Sequence, residues 1–253
     1  MKKFYKHLLN TLPRPLLIRL SYVFRVFAPL VYKGNKVDCP VCEKSFKKFL
    51  SYGSNVAHRD NVLCPYDLTL ERHRLMWIYL IDRSTFFTEE KLKVMHIAPE
   101  QCFYSKFKKQ NNLEYTTGDL LSQLADIHFD LHKIPLEDNQ YDVIFCNHVL
   151  EHVEDDHKCM TELHRIMKPG GWGIFQVPID TSRAETYEDA SITSPEEREK
   201  HFWQYDHVRL YGLDYPGKLE AAGFEVEVYD YHKDMPKEQY EKYRFHADEL
   251  LYI

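Results

Sequence analysis

Residues 141–178, YDVIFCNHVLEHVEDDHKCMTELHRIMKPGGWGIFQVP, carry the pattern that decides the fold. The segment YDVIFCN (141–147) is rich in β-branched and aromatic residues, which favours a buried strand. Residues 150–167 then place apolar side chains at helical spacing. Lys168 suits a helix end, the following Gly-Gly pair predicts a turn, and GIFQVP (173–178) predicts another strand. This succession is typical of a parallel βαβ unit.

The same alternation continues on both sides of this stretch. Strands are predicted before it at KVMHIA (93–98), LEYTTGD (113–119) and ADIHFDL (125–131), and after it at FEVEVYD (224–230) and ELLYI (249–253). A helix is predicted to end at Gly223. Strands that alternate with helices indicate a mostly parallel sheet that binds ligands at its carboxyl edge.

The stretch from Ile134 to Pro178 resembles the class I S-adenosylmethionine-dependent methyltransferases of the type 11-like group. The resemblance is carried by IPLEDNQYDVIFC, by the His-Val-Leu-Glu-His run that follows, and by MKPGG, and it extends over about residues 91–253. It implies an α/β fold with a seven-stranded, mostly parallel Rossmann-like sheet and helices on both faces. It also implies an enzyme that takes a methyl group from S-adenosylmethionine.

The first strand ends in a turn that contains no glycine, KVMHIAPE (93–100). In the family that this chain resembles, the corresponding turn is glycine-rich and lies against the methionine part of the cofactor. The alignment places His96 at the family's acidic position and Ala98 and Glu100 at glycine positions. Alanine is small and Pro99 fixes a turn without a donor, so we expect a variant cofactor loop in which Glu100 accepts from the cofactor's ammonium group.

Further cofactor residues are implied at the ends of the next strands. Asp119 ends the second strand, where a carboxylate accepts both ribose hydroxyls, and Leu120 follows it. Asp130 ends the third strand, where the family's acid binds the adenine amino group and Leu131 donates from its backbone. Asn147 follows the fourth strand, and with His148 it is expected beneath the transferring methyl group.

The candidate catalytic residues are His148, His207 and Asp206. His207 lies in EKHFWQYDHVRLYG (199–212), after an insert that begins at residue 180, and a segment placed there reaches over the carboxyl edge of the sheet. An imidazole with Asp206 beside it suits removal of a proton from an acceptor hydroxyl. The alternative is a surface network of Arg and acidic side chains. His152 is either an acceptor-binding group or a core residue.

Two short knuckles, CPVC (39–42) and CPYD (64–67), predict a small zinc-ribbon-like segment ahead of the main domain. The candidate ligands are Cys39, Cys42, Cys64 and Asp67. Aspartate stands where a fourth cysteine is usual, so two hypotheses remain: a structural Zn²⁺ bound by three thiolates and a carboxylate, or a degenerate ribbon held by packing. His58 and His73 are the other nearby candidate ligands. Six unevenly spaced cysteines favour a reducing compartment.

Charge is distributed unevenly along the chain. Residues 1–36 contain eight Lys or Arg and no acid, whereas the rest carries 25 bases against 39 acids. Apolar residues interleave with the bases of this arm at helical spacing, which is typical of a basic amphipathic helix on an anionic bilayer surface. The alternative is a helix packed on its own domain. An acidic main body argues against wrapping a nucleic acid.

The sequence therefore predicts three parts: a basic amphipathic arm (1–36), a zinc-ribbon-like knuckle with a linking helix (37–90) and a methyltransferase domain (91–253). We expect a cytoplasmic enzyme at the inner face of the membrane, acting on a small-molecule, lipid-linked or saccharide acceptor. Two other hypotheses remain open, an RNA base methyltransferase that binds its substrate through the zinc knuckle and a non-catalytic binding module with the cofactor fold.

Overall fold

The computed structural model describes residues 14–53, 58–246 and 249–253. The chain divides into two compact units. The small unit comprises the described part of Met1–Arg74 together with Pro236–Phe245, and the large unit comprises Leu75–Met235 with the described part of His246–Ile253. The division between the units therefore falls within the predicted linking helix, and one segment near the carboxyl terminus belongs to the small unit.

The secondary structure follows the predicted alternation. In chain order the elements are α1 (Arg14–Val31), β1 (Lys33–Cys39), β2 (Lys44–Phe46), β3 (Leu50–Tyr52), β4 (Arg59–Leu63), α2 (Glu71–Asp82), β5 (Leu92–Ile97), α3 (Gln101–Phe107), β6 (Leu113–Asp119), β7 (Ile127–His128), β8 (Tyr141–Cys146), α4 (Asp156–Ile166), β9 (Met167–Ile174), β10 (Tyr187–Glu188), α5 (Pro195–Phe202), β11 (Arg209–Leu210), α6 (Tyr215–Ala221), β12 (Val228–Tyr229), α7 (Tyr231–Asp234), α8 (Lys237–Tyr243) and β13 (Leu251–Tyr252).

The small unit is built from two antiparallel hairpins, β1–β2 and β3–β4, with α1 ahead of them. Helix α1 confirms that the predicted arm is helical from Arg14; residues 1–13 of the arm lie outside the described residues. Ala28 of α1 is buried, and Arg25 Nε donates to the Tyr66 carbonyl. Most of the large apolar side chains described on α1 are nevertheless exposed, Leu30 by 75% and Phe27 by 58%.

The large unit contains a five-stranded sheet in the order β7-β6-β5-β8-β9, and every neighbouring pair is parallel. Side chains from the two faces of β5 and β8 enter different clusters. Met95 and Ile144 pack with α4 and α6 in the apolar core, whereas Phe145 packs with Phe107 of α3 on the other face. The sheet is thus covered by helices on both faces, as the α/β prediction requires.

Two further strands complete the predicted set without joining the continuous sheet. Strands β12 and β13 pair with each other antiparallel, and the Phe175 N–H donates to the Tyr252 carbonyl at 3.0 Å. This bond places the pair beside the chain that follows β9. The predicted seven-stranded sheet is therefore a five-stranded parallel sheet plus a short antiparallel pair, because most of 224–230 and 249–253 is irregular.

Two boundaries differ from the prediction. The helix predicted from residue 150 begins at Asp156, because the Asp155 side chain accepts from Lys158 N and caps it there. Residues 147–155 form an irregular turn instead. The predicted turn at residues 170–171 lies inside β9, where Gly170 has a φ of +76° and the pairing with β8 shifts register. Glycine at this bulge allows a conformation that other residues rarely adopt.

Candidate active site at the carboxyl edge of the sheet

Three neighbouring strands bring predicted cofactor residues onto one edge of the sheet. Ile97 of β5 is level with Gly118 of β6 and with Cys146 of β8, and the Ala98 N–H donates to the Gly118 carbonyl at 2.8 Å. The next residue on each strand therefore lies at the same edge. These residues are Ala98, Asp119 and Asn147.

The turn after β5 has the backbone conformation that glycine usually supplies. Ala98 has a φ of +48°, in the left-handed region. Glu100 is extended, with φ −72° and ψ 129°, and α3 begins directly after it. Alanine thus replaces glycine at some conformational cost, and Pro99 lies between the left-handed residue and the helix start.

Glu100 is held by two neighbours within the large unit. His96 Nε2 contacts Glu100 Oε2, and Asn147 Nδ2 donates to Oε1 at 3.3 Å. Because a carboxylate only accepts, His96 carries its proton on Nε2, and its Nδ1 accepts from the Tyr115 hydroxyl at 2.7 Å. His96 was predicted to bind the cofactor. The structure buries its side chain completely, where it orients Glu100.

Asp119 has one carboxylate oxygen fixed by the backbone. Its Oδ1 accepts from the N–H groups of Leu121 and Ser122, both at 2.7 Å. Neither bond involves Oδ2, and the residue is half-buried at the end of β6. Leu120 and Leu121 are exposed by 60% and 83%, so an apolar surface adjoins this carboxylate.

Asp130 lies farther from the sheet than the prediction assumed. Strand β7 ends at His128, and the Asp130 side chain is 64% exposed. Its Oδ1 accepts from the backbone N–H of His132 at 2.9 Å and contacts His132 Nδ1 at 2.7 Å; the backbone hydrogen bond and the histidine side chain lower the pKa of Asp130. Leu131 is buried. The involvement of His132 was not predicted.

A second group of polar side chains surrounds Glu151, in the turn that follows β8. Glu151 is 1% exposed, with His148 Nδ1 at 3.2 Å and His152 Nε2 at 4.0 Å from its Oε1. The rings of His152 and His207 are 4.7 Å apart and nearly perpendicular. Burial raises the pKa of Glu151, but the contact with His148 and the charges of the histidines outweigh burial and hold the pKa below its usual value.

Asp206 and His207, which are adjacent in sequence, contact different partners. Asp206 Oδ2 lies 3.5 Å from His152 Nδ1, and Asp206 also accepts from Gln204. His207 is buried and its Nδ1 donates to the Phe202 carbonyl at 2.8 Å. Burial lowers the pKa of His207, which keeps its imidazole neutral. Adjacent residues in this segment thus point to different partners.

Arg209 joins the insert to the turn that carries Glu151. It is 2% exposed, and its guanidinium donates to the carbonyls of Leu150, Val153 and Glu154, while Nε donates to Glu188 at 2.9 Å. These carbonyls would otherwise accept the first bonds of a longer α4. Arg209 therefore explains both the late helix start and the position of His207, two residues away. Sequence reasoning grouped Arg209 with surface side chains and missed this role.

The four candidate ligands of the small unit do come together. One ligand atom from each of Cys39, Cys42, Cys64 and Asp67 lies within 4.8 Å of the others. Cys42 Sγ is 3.8 Å from Cys64 Sγ, and Cys39 Sγ is 3.4 Å from Asp67 Oδ2. Tetrahedral zinc with Zn–S of about 2.3 Å and Zn–O of about 2.0 Å places its ligands roughly 3.5–3.8 Å apart, so the cluster fits the ion.

Neighbouring groups orient the carboxylate of this cluster. The Thr69 N–H and hydroxyl both donate to Asp67 Oδ1, at 3.1 and 2.7 Å, which leaves Oδ2 toward the thiols. Burial raises the pKa of Asp67 to about 6. The two other histidines that the sequence suggested lie elsewhere: His73 Nδ1 accepts from Leu70 N, and His58 pairs with Asp60 at 3.4 Å.

No helix within residues 14–53, 58–246 and 249–253 combines the length and hydrophobicity needed to span a bilayer.

Part of the large unit is similar in sequence to a known domain family. Residues 85–175 match a family model described as a methyltransferase domain. Over 64 residues the chain is 33% identical to an uncharacterised 37.1 kDa protein of a Streptomyces fradiae transposon; the match covers 25% of this chain and 19% of that protein. The chain thus spans about a fifth of that relative's length.

Solved structures of low sequence identity are similar to this chain. A protein of Bacillus halodurans described as a candidate methyltransferase has 17% identity and a TM-score of 0.44, over 72% of this chain and 96% of that one. A candidate sarcosine dimethylglycine methyltransferase of Galdieria sulphuraria has 17% identity and a TM-score of 0.43, over 66% and 67%. The family match includes β5, β6, β8 and α4, the elements that form the candidate site. Residues 85–175 therefore have the sequence pattern of a methyltransferase domain.

Proposed function

We propose that this protein transfers a methyl group from S-adenosylmethionine to a small-molecule, lipid-linked or saccharide acceptor. The observation that carries the proposal is the alignment of the left-handed Ala98 turn, Asp119 and Asn147 at adjacent strand ends. These are the places where a parallel α/β sheet binds ligands. The family match supplies the cofactor class.

Residues at the carboxyl edge of the sheet are suited to the amino-acid tail and the ribose of the cofactor. We assign the amino-acid tail to the turn of Ala98, Pro99 and Glu100, with Glu100 accepting from the ammonium group. His96 acts indirectly, because its bond to Glu100 fixes the carboxylate. Asp119 presents Oδ2 to the ribose hydroxyls while Oδ1 stays bound to the backbone.

Three residues are assigned to the adenine ring: Leu120, Asp130 and Leu131. Leu120 is exposed beside Asp119 and offers an apolar surface to a purine. Asp130 offers its remaining acceptor capacity to the adenine amino group, and the backbone N–H of Leu131 is assigned as a donor to the ring.

The cofactor's sulfonium supplies an activated methyl group and a good leaving group. The protein's task is then to align the acceptor with it and to exclude water. Asn147 is fixed between Glu100 and the backbone N–H of Gln176, so the wall beside it is rigid. We assign His148 as the general base, because it follows Asn147 at the strand end and its Nδ1 lies 3.2 Å from Glu151 Oε1. His207 and Asp206 position His152 rather than act on the acceptor.

Helix α1 supports an acceptor at a membrane surface. Eight basic residues and no acid occur in residues 1–36, and apolar side chains of α1 are exposed along the helix. A basic helix with exposed apolar side chains suits an anionic lipid surface. This arrangement favours a lipid-linked acceptor over a nucleic acid, because the rest of the chain is acidic.

We also propose that the small unit binds a structural Zn²⁺ through Cys39, Cys42, Cys64 and Asp67. The separations of the ligand atoms and the orientation of Asp67 by Thr69 support it. Four protein ligands leave no open coordination position, so the ion would stabilise the hairpins.

Calorimetric titration with S-adenosylmethionine and S-adenosylhomocysteine tests the proposal. Asp119→Asn keeps the oxygen that binds the backbone but removes the charge, so we expect affinity to fall about 10- to 100-fold, the equivalent of roughly 1.5–3 kcal/mol. Asp189→Asn is the matched control, since Asp189 Oδ1 likewise accepts from the residue two positions on, Ser191, in an exposed turn. Equal affinity of Asp119→Asn and wild type would contradict the assignment.

A methyl-transfer experiment distinguishes the proposed enzyme from an RNA methyltransferase and from a non-catalytic binding module. Cell extract incubated with the protein and methyl-tritiated S-adenosylmethionine is fractionated into lipid, saccharide, small-molecule and RNA pools. We expect label in one of the first three. Label in RNA would favour the RNA methyltransferase, and tight cofactor binding without transfer to any pool would favour the binding module.

A further inference from the structure

The geometry points to a second metal site, in the large unit: we propose that Glu151, His152 and His207 bind a divalent first-row transition ion. One ligand atom from each of the three residues lies within 4.8 Å of the others. The site differs from the cysteine cluster in composition and in place, and the sequence did not suggest it. The proposal does not rest on the proposed methyl transfer, because its test measures metal binding alone.

Glu151 is a buried carboxylate whose nearest polar neighbours are the rings of His148 and His152. Neither of its oxygens has a hydrogen-bond partner among the described residues, although His148 Nδ1 lies 3.2 Å from Oε1. A buried carboxylate is costly unless it is well paired, and buried charges in proteins are paired or coordinate metals. The turn around Glu151 therefore calls for a cation.

The two histidines present lone pairs toward this carboxylate. His207 Nδ1 donates to the Phe202 carbonyl, and His152 Nδ1 faces the carbonyl and carboxylate of Asp206 at 3.3 and 3.5 Å. Carbonyl and carboxylate oxygens only accept, so both rings carry their proton on Nδ1 and a lone pair on Nε2. With both rings neutral, two lone pairs lie beside a carboxylate, and a bound metal cation would relieve their repulsion as ring protonation does.

The surroundings hold these ligands as metal sites usually do. Ligating histidines commonly donate their second nitrogen to a carbonyl or carboxylate, which both histidines here do. The Val208 N–H donates to the Glu151 carbonyl at 2.9 Å, so the segment that carries His207 is bonded directly to the turn that carries Glu151. His152 Nε2 and Glu151 Oε1, 4.0 Å apart, are within about 1 Å of the roughly 3.3 Å between two ligands on a tetrahedral ion.

The ligand set indicates the class of ion. Imidazole with carboxylate suits Zn²⁺, Fe²⁺, Co²⁺ and Ni²⁺, whereas Mg²⁺ and Ca²⁺ prefer oxygen ligands. Three protein ligands leave at least one coordination position for water or another oxygen donor, in contrast to the closed cysteine cluster.

Equilibrium dialysis of the metal-stripped full chain against Co²⁺, with absorption spectroscopy, tests this site. Thiolate–cobalt absorption reports the cysteine cluster alone, so the two sites are counted separately. We expect one Co²⁺ per chain beyond those accounted for by that absorption. Glu151→Gln and His207→Asn should each lower its affinity by more than the roughly 100-fold that loss of an outer partner costs. Asparagine can still donate to the Phe202 carbonyl, so His207→Asn keeps that support.

His201→Asn is the matched control, because His201 belongs to the same insert but contacts Tyr187 and Glu197 instead. It should bind as much Co²⁺ as wild type. Unchanged tryptophan fluorescence shows that a variant has kept its fold. The proposal is overturned if wild type binds no Co²⁺ outside the thiolate site, or if both folded variants, Glu151→Gln and His207→Asn, retain wild-type affinity.

Discussion

Replacing Arg209 with methionine should destabilise the large unit strongly. The guanidinium is almost completely buried and makes hydrogen bonds to three carbonyls of the turn before α4 and to the Glu188 carboxylate. Methionine fills a similar volume and stays apolar, so it removes the donors without opening a large cavity. The carbonyls of Val153 and Glu154 then lose this donor, and that of Leu150 keeps only the Tyr211 hydroxyl at 3.3 Å.

The magnitude follows from the buried contacts. Hydrogen bonds to charged groups contribute about 1.5–3 kcal/mol each, but bonds from one side chain are not additive. Arg209 Nε also lies 3.6 Å from Oδ2 of Asp156, whose side chain is 10% exposed, and breaking such a buried pair by removing one partner costs about 3–5 kcal/mol. We therefore expect the free energy of unfolding to fall by about 3–5 kcal/mol. Arg209→Lys should lose less, since it keeps the charge but not the planar fork of donors.

Urea unfolding followed by tryptophan fluorescence measures this loss. All three tryptophans, at positions 77, 172 and 203, belong to the large unit, so the signal reports that unit. Arg183→Met is the matched control, because Arg183 is 45% exposed and pairs with Asp180 at 3.2 Å. An exposed pair contributes about 0–1 kcal/mol. Equal losses for the two variants, or a loss below about 1 kcal/mol for Arg209→Met, would refute the role given to Arg209.

Two other perturbations test the turn after β5 and helix α1. Ala98→Gly removes a left-handed strain of about 1–2 kcal/mol and adds chain entropy of about 0.5–1 kcal/mol, so its melting temperature should equal or exceed that of wild type, whereas Ala98→Val should melt lower. A lower melting temperature for Ala98→Gly would show that the left-handed φ of Ala98 does not destabilise the protein. Phe27→Asp should abolish cosedimentation with anionic vesicles, because Phe27 is exposed on a basic helix. It should leave the melting temperature unchanged. A wild-type protein that does not sediment with such vesicles would contradict the lipid-surface proposal.

The sequence was most informative where local pattern and tertiary structure agree. Strands β5, β6 and β8 lie where their β-branched and aromatic runs predicted them, and the parallel order follows from the helices between them. The positions of Ala98 and Asp119 at strand ends were therefore predictable. The meeting of the two cysteine knuckles was predictable as well, since each knuckle presents its ligands from one short turn.

Long-range contacts explain what the sequence did not predict. Residues 150–155 have helical periodicity, yet Arg209, more than fifty positions away, takes the carbonyls that a helix would use. Aspartate beside histidine suggested a pair in Asp206 and His207, but the chain turns between them. In each case a partner distant in sequence overrides a local preference, and no local pattern reveals that partner.

One dipeptide connects the cofactor side of the edge with the histidine side. Asn147 donates to Glu100 and accepts from the Gln176 N–H, and the next residue, His148, donates its own N–H to the Gln176 carbonyl at 2.7 Å. His148 has a φ of +55°, a left-handed conformation that is uncommon for residues other than glycine. The bonds to Gln176 impose it here, and they turn the side chain toward Glu151. A substitution of Asn147 or of His148 should therefore shift the side chain of the other residue. The carboxylate that the other residue contacts, Glu151 or Glu100, should then move with it.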